Sequence, residues 1–173
     1  MKKILTLTLF LAVVAGLSGA ALSLVYSVTD PIIQEAKIAS EKENLVKIYS
    51  SAEFKAIEDT DTSKYPSIKG IYEAEGSGYI YKCSVTGYGG ASTPIVYLVA
   101  LDKDGTYKGF EVIDCSGETK GFGSKIAEPE FKTGIVGKNI GDSIDTISGA
   151  TVSSGAVATG IEEATAHYEE NFK

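Results

Sequence analysis

The feature that most constrains this chain is a run of 25 residues without a charged side chain, Ile4 to Val28. As an α-helix the run would be about 37 Å long, enough to cross a bilayer with some tilt. Lys2 and Lys3 precede it, and basic flanks tend to stay inside the cell. We therefore predict a transmembrane anchor over residues 1–28, with the rest of the chain on the outer or periplasmic side of the cell (inner) membrane. A cleaved signal peptide is the alternative, although its apolar region usually spans only about 7–15 residues.

Charge and composition exclude several classes of function. The formal net charge is −7, all 16 basic residues are lysine, and all 23 acidic residues follow Val28. This balance argues against nucleic-acid binding, which usually needs arginine and a basic face. Cys83 and Cys115 form no Cys/His cluster, so we predict no metal site; we interpret them as buried thiols, with a disulfide as the alternative. The single histidine, His167, lies near the end of the last predicted helix, where we expect it to be solvated.

The remaining pattern predicts an α+β fold, an antiparallel sheet with packed helices. Asp30 and Pro31 suit a helix start, so residues 29–64 are predicted to form a juxtamembrane helix and loop. Alternation over residues 78–85 predicts a strand, and two β-rich runs around Asp102–Gly105 predict a hairpin whose first strand is central. An amphipathic helix follows, with Val157, Ile161, Ala164, Tyr168 and Phe172 on one face. We assign residues 65–173 to one domain.

The segment DTISGATVSSG, Asp145 to Gly155, combines hydroxyl residues with glycine just before this last helix. Gly149 permits backbone conformations that other residues avoid. Hydroxyls in the segment can cap free N–H groups of the helix: Ser148, Thr151, Ser153 and Ser154. Helix starts also attract anions through their N–H groups and dipole, so the segment is a candidate phosphate site.

Asp145–Thr151 resembles the D-x-x-[ST]-G-A-T motif of the FMN-binding domain family. The resemblance implies that Thr151 carries FMN through a phosphoester bond, which a dedicated flavin transferase makes from FAD. It also implies the residues that the transferase recognises: Asp145, Ser148, Gly149, Ala150 and Thr151.

A second motif of the same family resembles GETKGFG at Gly117–Gly123. The family pattern is similar to E-T-P-G-L-G, and this chain departs from it at Lys120 and Phe122. The resemblance implies a flavin site built from both motifs: Glu118, Thr119, Gly121, Phe122, Gly123, Ser148, Gly149, Ala150, Thr151, Val152 and Ser153. Neither motif contains a nucleophile–base pair, so we expect no catalytic residues.

The segment VTDPIIQEAK after the apolar run resembles the start of the G subunit of Rnf complexes, and less closely the C subunit of the sodium-pumping NADH:quinone reductase. The resemblance implies an electron carrier in a membrane-bound, ion-pumping ferredoxin:NAD oxidoreductase. Its partners would be the other membrane subunits, including a second one with covalent FMN. The alternatives are the C subunit of the sodium-pumping enzyme or an anchored extracellular binding module without a cofactor.

Overall fold

The structure is a computed structural model that describes residues 2–49, 54–57 and 60–173. The chain divides into two compact units, Met1–Lys42 and Glu43–Lys173. Its helices are α1 (Lys2–Ile48), α2 (Pro129–Thr133) and α3 (Thr151–Asn171), with a 3₁₀ turn at Gly123–Ala127. Its strands are β1 (Phe54–Ala56), β2 (Ile68–Ala74), β3 (Gly78–Val85), β4 (Ile95–Asp102) and β5 (Tyr107–Asp114).

The described part of the first unit is residues 2–42 of α1, and its most apolar window is Thr6–Ser23 with a mean hydropathy of 1.9. Within the described residues this is the one helix long and apolar enough to span a membrane, as expected for the predicted anchor. The helix start predicted at Asp30 and Pro31 is wrong, because α1 continues through both residues. Proline inside a helix removes one backbone hydrogen bond but does not always end the helix.

The second unit contains a five-stranded antiparallel sheet with the strands in sequence order. The predicted hairpin is β4–β5, which turns at Gly105 with a φ of +83°. The strand β4 lies between β3 and β5, and all but its second and last residues are buried. The prediction of an interior strand from its apolar run is therefore confirmed, and the α+β class with it.

One face of the sheet packs against α3. Val157, Ile161, Ala164 and Tyr168 are buried there, as their helical spacing predicted. Tyr97 on β4 donates a hydrogen bond from its hydroxyl to the Val157 carbonyl at 3.0 Å. Close packing of α3 on the sheet fixes where this helix begins, and its first turn forms part of the candidate site.

The other face of the sheet is covered by the end of α1. Leu45 packs against Ile80, Leu98 and Ala100, and all four side chains are buried. Ile48 and Tyr49 lie at the margin of the same cluster. Both faces of the sheet are therefore buried, which explains why β3 and β4 carry apolar residues at successive positions.

The expectation of a solvated His167 is wrong. Its side chain is fully buried, and its Nδ1 lies 3.1 Å from the Tyr81 hydroxyl. The residue falls three positions after Ala164, on the face of α3 that meets the sheet. Both cysteines are free thiols: Cys83 is buried, as interpreted from the sequence, and Cys115 is partly buried.

Candidate functional site

The two sequence motifs meet at the N-terminal end of α3. Before it, Gly149 adopts a φ of +80°, a conformation that favours glycine, and Ala150 donates its N–H to the Ile147 carbonyl at 2.9 Å. The first helical hydrogen bond runs from the Ser154 N–H to the Ala150 carbonyl, also at 2.9 Å. The turn thus leaves the N–H groups of residues 151–153 without acceptors inside the helix.

The prediction that hydroxyl side chains cap α3 is wrong. Ala150 is the residue at the N-cap position, and no side chain caps the helix. The Ser154 hydroxyl instead accepts a hydrogen bond from the Ile147 N–H and donates one to the Ala150 carbonyl, each at 2.9 Å. This buried hydroxyl stabilises the turn from the inner side and leaves the helix N–H groups available.

The second motif forms a tight loop beside this turn. The N–H groups of Phe122 and Ser124 both point to the Thr119 carbonyl, at 3.1 and 3.2 Å. Gly121 has a φ of +74°, and its N–H donates to the Ser124 hydroxyl at 2.9 Å. The loop lies next to the turn before α3: a Cβ added to Gly149 would be 3.7 Å from the Phe122 ring, an ordinary contact distance.

The buried side chain of Glu118 connects the loop to α3. One carboxylate oxygen accepts a short hydrogen bond from the Ser153 hydroxyl. The other oxygen accepts the N–H of Gly89, in the turn after β3, at 3.1 Å. One carboxylate therefore connects three segments that are far apart in the sequence.

These segments line a cavity of about 460 Å³ that is open to solvent on one side. Its lining residues come from the turn after β3, the 117–123 loop and the first turn of α3: Tyr88, Thr119, Phe122, Gly123, Gly149, Ala150, Thr151, Val152 and Ser153. The volume falls within the range of about 300–1,000 Å³ that is typical of cofactor sites. A planar ring system with a phosphate tail matches an apolar wall that ends at a helix N-terminus.

Exposed apolar side chains cluster at this cavity. Tyr88 is 71% exposed, Phe122 59% and Val152 58%. Outside α1, the described residues expose only four large hydrophobic side chains, and these are three of them. An apolar surface of this kind, rimmed by polar groups, marks a binding site rather than random surface composition.

Hydroxyl groups in the segment 145–155 differ in their availability. Ser153 and Ser154 are buried and bonded to Glu118 and to the turn. Ser148 is exposed but does not line the cavity. Thr151 is the hydroxyl residue of this fully described segment that is both exposed and on the cavity wall.

The structure brings most, but not all, of the predicted site residues to the cavity wall. Glu118 lies beneath it, while Gly121 and Ser148 lie beside it. Asp145 lines a separate cavity of about 420 Å³, and its carboxylate is 3.7 Å from the Lys138 ammonium. Sequence reasoning missed Tyr88, although the glycines around it indicated a turn.

Neither of the two cysteines has the lowered pKa of a reactive thiol. Partial burial, with the carboxylates of Asp114 and Glu118 nearby, raises the pKa of Cys115 above its ordinary value. Burial raises the pKa of Cys83 to about 12. Both groups are therefore protonated at neutral pH and are poor nucleophiles and metal ligands. The described residues also contain no cluster of three His, Cys, Asp or Glu side chains suited to a metal ion.

The model of the FMN-binding domain family matches residues 87–166. This range contains every residue of the cavity wall, together with Glu118 and Asp145. Over these residues the chain is similar to the FMN-binding domain family. The first of the family resemblances is thus confirmed, and the cavity is the part of the domain where both motifs meet.

Two curated relatives extend the similarity beyond the residues that match this family. One is the G subunit of the ion-translocating oxidoreductase complex of Methanosarcina acetivorans, 28% identical over 94% of this chain and 93% of the relative. The other is the G subunit of the proton-translocating ferredoxin:NAD(+) oxidoreductase complex of Clostridium ljungdahlii, 25% identical over 94% and 90%. The resemblance to G subunits of Rnf-type complexes is therefore confirmed along nearly the whole chain.

A solved structure of the C subunit of the Na(+)-translocating NADH-quinone reductase from Parabacteroides distasonis also aligns with this chain. The TM-score is 0.49 at 20% identity, covering 68% of this chain and 76% of that one.

Proposed function

We propose that this chain is the electron-carrying G subunit of an Rnf-type, ion-translocating ferredoxin:NAD oxidoreductase complex. The FMN-binding domain and the two relatives support this assignment. The bound flavin would accept and release electrons, while the cavity sets its position and surroundings. The partners are the other membrane subunits, among them a second one that carries covalent FMN.

We further propose that FMN is attached through its phosphate to Thr151 Oγ. The observation that supports this acceptor is the exposure of Thr151 on the cavity wall, while Ser153 and Ser154 are buried and bonded elsewhere. During maturation the Thr151 oxygen would attack the FMN-side phosphorus of FAD. The P–O bond to AMP breaks, AMP leaves, and the flavin transferase takes the hydroxyl proton.

The free end of α3 suits this attachment. N–H groups of residues 151–153 have no acceptor inside the helix, and the helix dipole favours negative charge at the same end. The chain has no arginine, so a bound phosphate would be held by backbone N–H groups, hydroxyls or lysines. A covalent tether also prevents loss of the cofactor by diffusion on the outer side of a membrane.

Flavin contacts beyond Thr151 are proposals of the same kind. We assign the ring to the side of the cavity formed by Thr119, Phe122 and Gly123, and the phosphate end to Gly149, Ala150 and Val152. We assign transferase recognition to the five motif residues Asp145, Ser148, Gly149, Ala150 and Thr151. Asp145 is 92% exposed and therefore accessible to a maturation enzyme.

Intact mass and in-gel fluorescence test the covalent bond. The full chain, produced with its flavin transferase, should keep yellow flavin fluorescence in a denaturing gel and show the added mass of FMN. Thr151→Ala should abolish both signals. Thr146→Ala, an exposed threonine of the same segment outside the flavin cavity, is the matched control and should retain them, as should Ser153→Ala. A Thr151→Ala protein that still carries the added mass would contradict the proposal, and an unmodified wild-type chain would favour an anchored binding module.

For the membrane arrangement we propose an anchor over residues 1–28, a juxtamembrane segment over 29–64 and the flavin-carrying domain over 65–173, on the outer side. Lys2 and Lys3 before the apolar run support this orientation. A periplasmic reporter enzyme fused after Lys173 should be active. A second fusion at the same position should carry a reporter that works only in the cytoplasm. Activity of that reporter would show that the proposed orientation is wrong.

A further inference from the structure

The turn after β3 places a single aromatic side chain on the cavity wall. Its sequence is Gly87-Tyr88-Gly89, and both glycines are required by close contacts. A Cβ on Gly87 would collide with the Glu118 carboxylate and with Ile95 Cδ1. A Cβ on Gly89 would collide with the carbonyl group of Gly117. The backbone of this turn therefore rests directly on the 117–123 loop.

Tyr88 has no structural role in the core. Its side chain is 71% exposed, although the described part of the chain buries, fully or in part, almost all its other large apolar side chains outside α1. The second exposed ring on the same cavity is that of Phe122, which belongs to the 117–123 loop. Two exposed aromatic rings on one cavity suit a planar aromatic ligand, because ring stacking adds to the gain from apolar burial.

Glu118 determines where these walls lie relative to Thr151. Its carboxylate accepts the Gly89 N–H at 3.1 Å on one side and the Ser153 hydroxyl on the other. Gly89 follows Tyr88 directly, and Ser153 lies two residues after Thr151. The carboxylate itself is buried and does not line the cavity, so it acts on a ligand only through these two neighbours.

We propose that Tyr88 is a flavin-binding residue, and that Glu118 is the positioning residue that holds Tyr88 at a fixed distance from the attachment point on α3. This inference rests on the proposed FMN site and adds to it a wall that neither sequence motif contains. It also changes the role of Glu118, which the family resemblance places among the flavin-site residues, to a buried group that joins the two sides of the cavity.

Flavin fluorescence gives a direct readout of Tyr88. A tyrosine stacked on a flavin quenches it by donating an electron to the excited ring, and phenylalanine does so far less readily. In the FMN-loaded full chain, Tyr88→Phe should lengthen the fluorescence lifetime severalfold and leave the anisotropy high. Tyr88→Ala should lengthen the lifetime and also lower the anisotropy, because the ring gains freedom.

The matched control is Tyr79→Phe. Tyr79 is partly buried against the core and does not line the cavity, and its ring stacks on Phe172 with ring centroids 4.1 Å apart. Its replacement should therefore leave lifetime and anisotropy unchanged. A Tyr88→Ala protein with the lifetime and anisotropy of the wild type would overturn the assignment of Tyr88.

The positioning role of Glu118 requires a second set of variants. Glu118→Ala should reproduce the long lifetime and low anisotropy of Tyr88→Ala, and Glu118→Gln should restore the wild-type values, because its amide can accept from Gly89 and donate to Ser153. The double variant Tyr88→Ala/Glu118→Ala should match Tyr88→Ala alone, since both changes act on one contact. If Glu118→Ala is folded by circular dichroism and keeps wild-type fluorescence, the positioning role is wrong.

A further variant keeps the test valid if Glu118→Ala does not fold. Gly89→Ala leaves the carboxylate intact but displaces the turn from Gly117, so it should give the same fluorescence change. Intact mass, measured on every variant, separates this inference from the proposed function. Loss of FMN from the wild-type chain would refute the attachment, whereas a loaded protein without a Tyr88 effect refutes only the inference.

Discussion

Single hydroxyl groups with the same chemistry have different roles at the start of α3. Ser154 stabilises the turn, Ser153 bonds to Glu118, and Thr151 faces the cavity. The motif in the sequence indicated this segment, and helix-start chemistry indicated an anion. The division of roles was not predictable, because it depends on Glu118, which lies 35 residues from Ser153 in the sequence and meets it only in the fold.

His167 gives a pH-dependent stability at the residue scale. Burial lowers its pKa below the ordinary value of 6.5, an effect that the nearby Glu170 carboxylate opposes. Its other neighbours are the Tyr81 hydroxyl and the rings of Tyr65 and Phe172, and Nε2 has no hydrogen-bond partner among the described residues. The folded state therefore disfavours the protonated imidazole.

The sign of this effect follows from proton linkage. The unfolded chain binds the proton more tightly, so the free energy of unfolding should fall as pH decreases through about 6.5 and should level off below the folded pKa. Urea unfolding of the wild type between about pH 7.5 and about pH 5.5 should show the fall, and His167→Phe should lack this component. Equal pH slopes in both proteins would contradict the prediction. Three carboxyl groups also have lowered pKa values: those of Asp61, Asp102 and Asp114. The stabilisation they give is lost only at more acidic pH, below the range of this experiment.

At the scale of elements, α3 and the hairpin follow their sequence patterns closely. The spacing of Val157, Ile161 and Ala164 predicted the buried face, and the turn at Gly105 predicted the β4–β5 pairing. Periodicity could not identify which glycine of α3 contacts the sheet. Gly160 does: a Cβ there would collide with the Tyr97 hydroxyl and lie 2.7 Å from Val85 Cγ1, whereas Gly155 has open space around it.

These two glycines provide a matched pair of substitutions. Gly155→Ala should stabilise the protein by about 0.5–1 kcal/mol, because alanine loses less backbone entropy in a helix. Gly160→Ala should instead destabilise it by about 1–3 kcal/mol, because the added methyl overpacks the α3–sheet contact. Urea midpoints of the two variants against the wild type test both signs. A stabilising Gly160→Ala would show that the helix can move off the sheet without cost.

At the scale of the whole molecule, the cover on the second face of the sheet was not predictable from the sequence. The end of α1 was predicted as a juxtamembrane helix, and its residues gave no sign of which surface they meet. Contacts between Leu45 and residues 80–100 depend on the folded arrangement of β3 and β4. Gly109 on β5 admits this helix end, since a Cβ there would collide with Ile48 Cγ2.

Leu45 and Val46 test whether this cover is part of the folded domain. Leu45 is 3% exposed against the sheet, while its neighbour Val46 is 40% exposed. Leu45→Ala should reduce the free energy of unfolding by about 2–5 kcal/mol, since it leaves a cavity over Ile80 and Leu98. Val46→Ala should change it by no more than about 0.5 kcal/mol, as is usual for surface positions. Urea unfolding of chains that begin at residue 29, without the anchor, measures both. Equal midpoints for the two variants would mean that the end of α1 is not part of the folded domain in solution.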